Sequence, residues 1–314
     1  MIDAVLGLDT SNYTTSAALL LSDGRLLQTR KLLPVEAGKR GLRQSDAVFH
    51  HTRQLPEQFE ALYTQLDQPV RLRAVGVSAA PTGQEDSYMP CFLVGRGAAR
   101  ILAAAERIPL IETNHQAGHL MAAIHGADAG DLLCQDAFLA LHLSGGTTEC
   151  LLVSPHADGS FSVEPVARSL DLHAGQVIDR VGVLLQLGFP AGPALEALAE
   201  QSGAHFRPKP ALHGRDICLS GIENQCQAML AREEAPADIA RYCLDAVLAA
   251  VLAMTQAVLD RWGPLPVLCA GGVASNGKFR RVMGAQFGAR FAPPAFSSDN
   301  AAGVALIAAR ALSL

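Results

Sequence analysis

Two stretches of the chain share one plan, and that repetition restricts the fold more than any other feature. Val5-Leu6-Gly7-Leu8, a polar turn over Asp9-Thr10-Ser11-Asn12-Tyr13-Thr14-Thr15-Ser16, and Ala17–Leu21 read as buried strand, turn and second strand. The Asp23-Gly24 hairpin then leads to a third strand over 25–29. Much later, Ala137–Leu143, the turn Ser144-Gly145-Gly146-Thr147-Thr148-Glu149 and Cys150–Val153 repeat the plan. Two copies predict an α/β protein of two lobes, with duplicated mixed sheets around a nucleotide cleft. The expected division is 1–130 for the first lobe, completed by the C-terminal helix at 295–314, and 131–294 for the second. With 314 residues, 49% of them hydrophobic, the chain can bury two cores.

Both turns have residues suited to anions. Asp9, Thr10 and Ser11 stand where a phosphate or its metal can be held, an ordinary polar hairpin being the equal alternative. Ser144-Gly145-Gly146 can aim backbone N–H groups at an anion. A nucleophilic Ser144 is the rival reading, but the G-x-S-x-G pattern is absent. Pro266–Ala270 reads as a strand running into Gly271-Gly272, then Asn276 and a helix from Gly277, a corner of the kind that contacts nucleotides. His115 and His119 follow Asn114, a plausible N-cap, and precede an apolar run. Positions i and i+4 stack on one helix face, so both imidazoles can reach one ion. A metal needs at least one more ligand, and a solvated or core-edge pair is the alternative. The glutamate of H-E-x-x-H is missing, so the pair has no built-in general base. By themselves, Asp179 reads as a surface charge on a helix and Asp299 as a capping residue.

A net charge of −5 and a pI near 6.0 give no general attraction to nucleic acid, so a polyanion must meet a local patch. Residues 30–53 hold Arg30, Lys31, Lys39, Arg40, Arg43 and Arg53 against Glu36 and Asp46, with Gly38 and Gly41 interrupting any helix. They read as a solvated loop, with a polyanion patch as the sharper alternative. Residues 203–216, rich in Pro, His, Lys and Arg, read as a second loop. Seven scattered cysteines with no C-x-x-C pair predict reduced thiols in a cytoplasmic protein. The start lacks a basic signal-peptide region. The most apolar stretch, 244–262, is broken by Asp245, Gln256, Asp260 and Arg261 and reads as a core helix, so no membrane partner is expected.

Taken in order, the first strand with D-T-S, H-x-x-x-H, L-S-G-G-T-T-E, A-G-Q-V-I-D-R-V, G-F-P-A-G-P-A-L, L-S-G-I, A-G-G-V-A-S-N and S-D-N-A-A resemble one family from residue 5 to 312. It is the TsaD-type family, formerly labelled glycoproteases and now understood as the catalytic subunit that makes N6-threonylcarbamoyladenosine in tRNA. The resemblance implies the actin-like/Hsp70/sugar-kinase (ASKHA) fold. It implies one divalent metal, iron or zinc, on His115, His119 and Asp299. It also implies an adenine nucleotide with its phosphate side on Leu143, Ser144, Gly145 and Gly146, and its adenosine end near Asp179, Gly192 and Asn276. The implied reaction is acyl transfer, in which a tRNA adenosine amine attacks the carbamoyl carbon of threonylcarbamoyl-AMP and AMP leaves. Lys39, Arg40 and Arg43 then become a tRNA-facing patch. A same-fold dimerisation partner and a small ATPase are implied as partners, with a separate enzyme supplying the acyl-adenylate.

The chain departs from that pattern at four places, one being the Gln116-Ala117-Gly118 spacer, which lacks the acidic residue that the family often has between the two histidines. Asn12-Tyr13-Thr14-Thr15 stands where the family has C-D-E-T, Ala80-Pro81-Thr82-Gly83-Gln84 where it has G-P-G-L, and Thr147 where it has histidine. Such changes are expected of a paralogue with a different acceptor. The alternatives are therefore a paralogous carbamoyl-type transferase or ATP hydrolase, and a non-catalytic partner of a true synthase. The retained histidine pair ranks the last of these lowest.

Overall fold

The structure is a computed structural model in which residues 1–11, 13–34, 42–157, 159–296 and 301–314 are described. The chain divides into two compact units, one of 1–134, 155–162 and 295–314 and one of 135–154 and 163–294. The short span 155–162 therefore groups with the first unit rather than with the second lobe expected from the sequence.

The first unit runs β1 (Ile2–Ser11), β2 (Thr14–Leu21), β3 (Leu26–Leu32), α1 (Gln44–Tyr63), β4 (Val70–Ala80), α2 (Phe92–Glu106), β5 (Leu110–Asn114) and α3 (His115–Gly126). The second runs β6 (Phe138–Leu143), β7 (Thr148–Pro155), β8 (Phe161–Arg168), α4 (Ala174–Leu184), α5 (Gly192–Ala199), β9 (Ala211–His213), β10 (Asp216–Cys218), α6 (Ser220–Ala231), α7 (Pro236–Trp262), β11 (Val267–Ala270), α8 (Gly277–Phe287) and β12 (Arg290–Phe291). The chain then returns to the first unit as α9 (Ala302–Ala311).

The two sheets have the same strand plan. The first is ordered β3-β2-β1-β4-β5, with β1 antiparallel to β2 and parallel to β4. The second is ordered β8-β7-β6-β11-β12, with β6 antiparallel to β7 and parallel to β11. The duplicated mixed-sheet fold expected from the two strand–turn–strand segments is thus present.

β1 reads as a continuous apolar run because both of its faces are covered. Leu6 and Leu8 pack with Leu55 and Leu62 of α1 and Ala99 of α2. Val5 on the other face packs with Ala308 of α9, and Ala18 of β2 with Ala301 and Ala305. α3 crosses α9 where Gly118 meets Gly303; a Cβ on Gly303 would lie 1.8 Å from the Gly118 carbonyl oxygen.

Residues 30–53 are not the continuous loop that their charge pattern suggests. β3 extends to Leu32, and α1 begins at Gln44 and passes through Pro56. The early half of α1 escapes an apolar-periodicity reading because its buried face is polar. His51 and Gln54 each bond the Thr15 hydroxyl, at 2.8 and 2.9 Å, and Gln54 also donates to the Leu32 carbonyl at 3.2 Å. α7 is long and apolar enough to cross a membrane, yet 61% of its most apolar window is buried inside the protein. Ile239, Cys243, Val247, Val251, Met254 and Val258 put one stripe of it into the second unit's core.

α6 has no cap from the residue ahead of it and takes one from a distant loop. Asp171 accepts from Leu219 N at 2.7 Å, from Ser220 N at 3.1 Å and from the Ser220 hydroxyl at 2.5 Å. Burial pushes this carboxyl up, but the Leu219, Ser220 and Leu172 donors together hold it below the usual carboxylate value. A carboxyl depressed in the folded state stabilises fully above its unfolded pKa, near 3.9, and that stabilisation fades as pH falls through the lower folded value. Asp171→Asn is therefore expected to cost about 1 kcal/mol near neutral pH, after allowance for solvent screening. Urea unfolding of both proteins from neutral to strongly acidic pH should show the gap closing in acid; a gap independent of pH would contradict the assignment.

Candidate functional site

In each unit the candidate residues gather at the carboxyl ends of its parallel strands, the edge where open α/β sheets bind ligands. In the first unit, β1, β4 and β5 are parallel and end at Ser11, Ala80 and Asn114. Asn114 caps α3 by accepting from Ala117 N at 2.8 Å, as its position ahead of the histidines predicts. The cap sets His115 at the first position of the helix and His119 one turn on. Their Nε2 atoms face each other at 2.9 Å, with the rings edge-on at 77°.

Asp9 is 1% exposed, and its carboxylate holds the imidazole nearest to it. Its Oδ2 lies 2.8 Å from His115 Nδ1 and accepts from the Ser78 hydroxyl at 3.0 Å, while Oδ1 accepts from Ser11 N at 2.8 Å. The Ser11 hydroxyl also lies 2.8 Å from His115 Nδ1. A carboxylate on one ring nitrogen fixes which tautomer the histidine adopts and turns the other nitrogen outward as a ligand. The donor chemistry fits a transition metal: two imidazole nitrogens 2.9 Å apart, one ring backed by a buried carboxylate. The third expected ligand, Asp299, lies outside the described residues.

Thr10 departs from the expectation that it faces a ligand. It is fully buried, and its hydroxyl donates to Cys91 O and accepts from Gly95 N, both at 3.0 Å, so it fastens β1 to the start of α2. Ser78 was passed over in the sequence. Its only signal is a hydroxyl near the carboxyl end of β4.

In the second unit the candidates form one linked corner. Ser144-Gly145-Gly146 follows β6 and closes on itself, with the Ser144 hydroxyl accepting from Gly146 N at 3.2 Å and Thr147 N at 3.0 Å. The turn is therefore less open than the expected anion cradle, because two of its amides point inward to Ser144. The Leu143 side chain belongs to the core, so any part it plays is through its backbone. Gly271, at φ +100°, sits against that backbone; a Cβ there would fall 2.3 Å from Leu143 O, so both the dihedral and the space demand glycine.

The N-terminus of α4 meets the turn, with Gly175 N donating to Ser144 O at 3.0 Å and Ala174 N to the Thr148 hydroxyl at 2.8 Å. Farther along α4, Asp179 accepts from Ala191 N at 2.8 Å and so fixes the residue before Gly192, where α5 begins. On α5, Glu196 accepts from Gly277 N at 2.7 Å, and the neighbouring Asn276 caps α8 by accepting from Lys278 N and Phe279 N. Gly272 is exposed beside them, and the buried Ser275 hydroxyl has no hydrogen-bond partner among the described residues. Glu196 and Ser275 were missed in the sequence; neither type at those positions has a signal of its own.

Lys39 and Arg40 of the expected basic patch lie outside the described residues. Arg43 is exposed at the N-terminal end of α1.

Comparison with known proteins points one way. The family model described as TsaD, tRNA N6-adenosine threonylcarbamoyltransferase, matches residues 36–306. The protein of that name from Bacillus licheniformis is 28% identical, over 96% of this chain and 89% of its own length. That from Granulibacter bethesdensis is 31% identical, over 96% and 86%. Among solved structures, (R)-2-hydroxyglutaryl-CoA dehydratase component A of Acidaminococcus fermentans superposes with a TM-score of 0.55 at 14% identity, over 99% of both chains, a likeness of fold.

Proposed function

Because the chain belongs to the TsaD family of tRNA N6-adenosine threonylcarbamoyltransferases, which are acyltransferases, we propose that it is a cytoplasmic enzyme moving threonylcarbamoyl from threonylcarbamoyl-AMP to an adenosine of tRNA. The observation that carries the reading is the His115–His119 pair seated on Asp9. His115 and His119, with Asp299, hold one divalent ion, iron or zinc. Such an ion supplies Lewis-acid stabilisation of charge developing on carbamoyl or phosphate oxygens. Asp9, fixed by Ser78 and Ser11, keeps His115 in the tautomer that presents Nε2. The Leu143–Gly146 segment, Leu143 through its backbone, receives the phosphate side of the acyl-adenylate. Asp179, Gly192, Gly271, Gly272 and Asn276 shape the adenosine end, with Ser275 as a further donor. The adenosine amine adds to the carbamoyl carbon, the bond from that carbon to the phosphate oxygen breaks, AMP leaves with the electron pair, and the amine gives up one proton.

The decisive assay supplies purified protein with acyl-adenylate and unmodified tRNA and looks for the modified nucleoside by mass spectrometry, with metal content measured on the same sample. Modified tRNA and about one metal per chain are expected; acyl-adenylate hydrolysis without tRNA product would remove the tRNA acceptor. The altered residues 12–15, 80–84 and 147 favour a second reading, the same transfer to another acceptor, and that outcome would select it.

The tRNA-facing patch is Lys39, Arg40 and Arg43. Reversing all three charges should weaken tRNA binding about tenfold or more and lower its salt dependence. Unchanged binding at low salt would remove the patch. The family reading also brings a same-fold dimerisation partner and a small ATPase as further partners.

A further inference from the structure

Between Glu200 and Asp216 there is no acidic residue, while His205, Arg207, Lys209, His213 and Arg215 fall in that interval. The segment leading into β9 has the alternation of a strand. His205, Arg207 and Lys209 are exposed, and Ala204, Phe206 and Pro208 between them are half-buried. The sequence enforces this local shape, because Arg207 and Lys209 each precede a proline, which bars the α region and holds both extended. The inward side is anchored on α7. Phe206 packs edge-on against Tyr242 at 5.5 Å, and the Ser202 hydroxyl donates to Asp238 at 2.5 Å while accepting from Ala204 N at 3.1 Å. With the inward side fixed, the outward side is a row of His205, Arg207 and Lys209 on a strand repeat of about 6.6 Å.

Arg207 and Lys209 form no ion pair or hydrogen bond among the described residues. Arg215 differs, for its guanidinium lies 4.9 Å over Trp262 and donates to Val166 O. Two exposed cations thus stand beside an anchored backbone, with no acidic partner among the described residues, in a chain of net charge −5. A single small anion is bound by donors that converge on it. Cations in line and one repeat apart instead suit a polymer with regularly spaced charges.

We propose that this ribbon contacts the phosphate backbone of the RNA substrate; the inference rests on the tRNA reading above. Phosphate contacts position a nucleic acid and do not read its sequence, so the ribbon orients the RNA and leaves the choice of base to the transfer site. The test is fluorescence anisotropy with an unmodified tRNA transcript and the full chain, across roughly 50 to 200 mM salt. R207E/K209E should raise Kd about tenfold or more and flatten the slope of log Kd against log salt by about 1 to 2. R207Q/K209Q should move both quantities the same way by less, and it decides the matter if the doubly reversed variant does not fold. Melting temperature and adenine-nucleotide affinity should stay at wild-type values. If wild type binds tRNA and both folded variants match its affinity and slope, the ribbon serves another partner and the inference is overturned alone. If wild type binds no tRNA, the tRNA reading fails first and the ribbon's role goes with it.

Discussion

Asp9→Asn is expected to lower both metal affinity and threonylcarbamoyl transfer by about 10- to 100-fold, the range found for a partner that orients a metal-binding histidine. Asparagine keeps the shape and can still accept from Ser11 N, so the fold should survive. It must, however, turn an amide N–H2 or a weaker carbonyl toward His115 Nδ1. With the amide there, Nδ1 becomes the acceptor and the ring proton moves to Nε2, the atom that faces His119 at 2.9 Å. A protonated Nε2 cannot bind a metal. The measurements are metal content after dialysis, metal affinity by competition with a chelator, and transfer rate with excess metal added. A purely structural role for Asp9 would instead lower the melting temperature and leave metal content near wild type.

Gly303→Ala should be the most damaging single methyl group in the first unit. The added Cβ would lie 1.8 Å from Gly118 O, 2.7 Å from Gly118 C and 2.9 Å from Ala122 N. Every one of these obstacles is backbone of α3, so no rotamer change makes room, and α3 and α9 must separate. Overpacking of this kind costs about 3 kcal/mol or more, a large share of a typical domain's stability. Because the displaced helix carries His115 and His119, metal should be lost together with stability. Chemical denaturation with metal analysis checks the pair of effects. A variant with wild-type stability would mean that the helices are not in contact at this point.

How far the sequence could be read follows from where each residue's reason lies. The strand–turn–strand repeats were legible because buried strands and Gly-rich turns announce themselves within a few residues. So was the histidine pair, whose spacing and Asn114 cap are local. The first half of α1 was hidden because His51 and Gln54 bury polar atoms against Thr15, a partner 36 and 39 residues distant in sequence, and apolar periodicity cannot register that. Asp9 was picked out as an acidic residue in a turn, but its engagement with His115 and Ser78 depends on strand order, and so does the use of Thr10 inside the protein. Glu196 bridges α5 to α8 only after both helices have packed.

The place of α9 in the chain has a consequence for synthesis. The face of β1 that bears Val5 and the small-residue crossing with α3 are both completed by residues that leave the ribosome after the whole second unit. The first strands therefore wait with one face uncovered while more than half of the protein is made. Domains generally fold in order of emergence, but here the second unit can close first and the first must close last. Ribosome-bound chains halted before residue 301 should resist protease across the second unit and remain sensitive from β1 to α3, and the histidine pair should mature only once α9 has emerged.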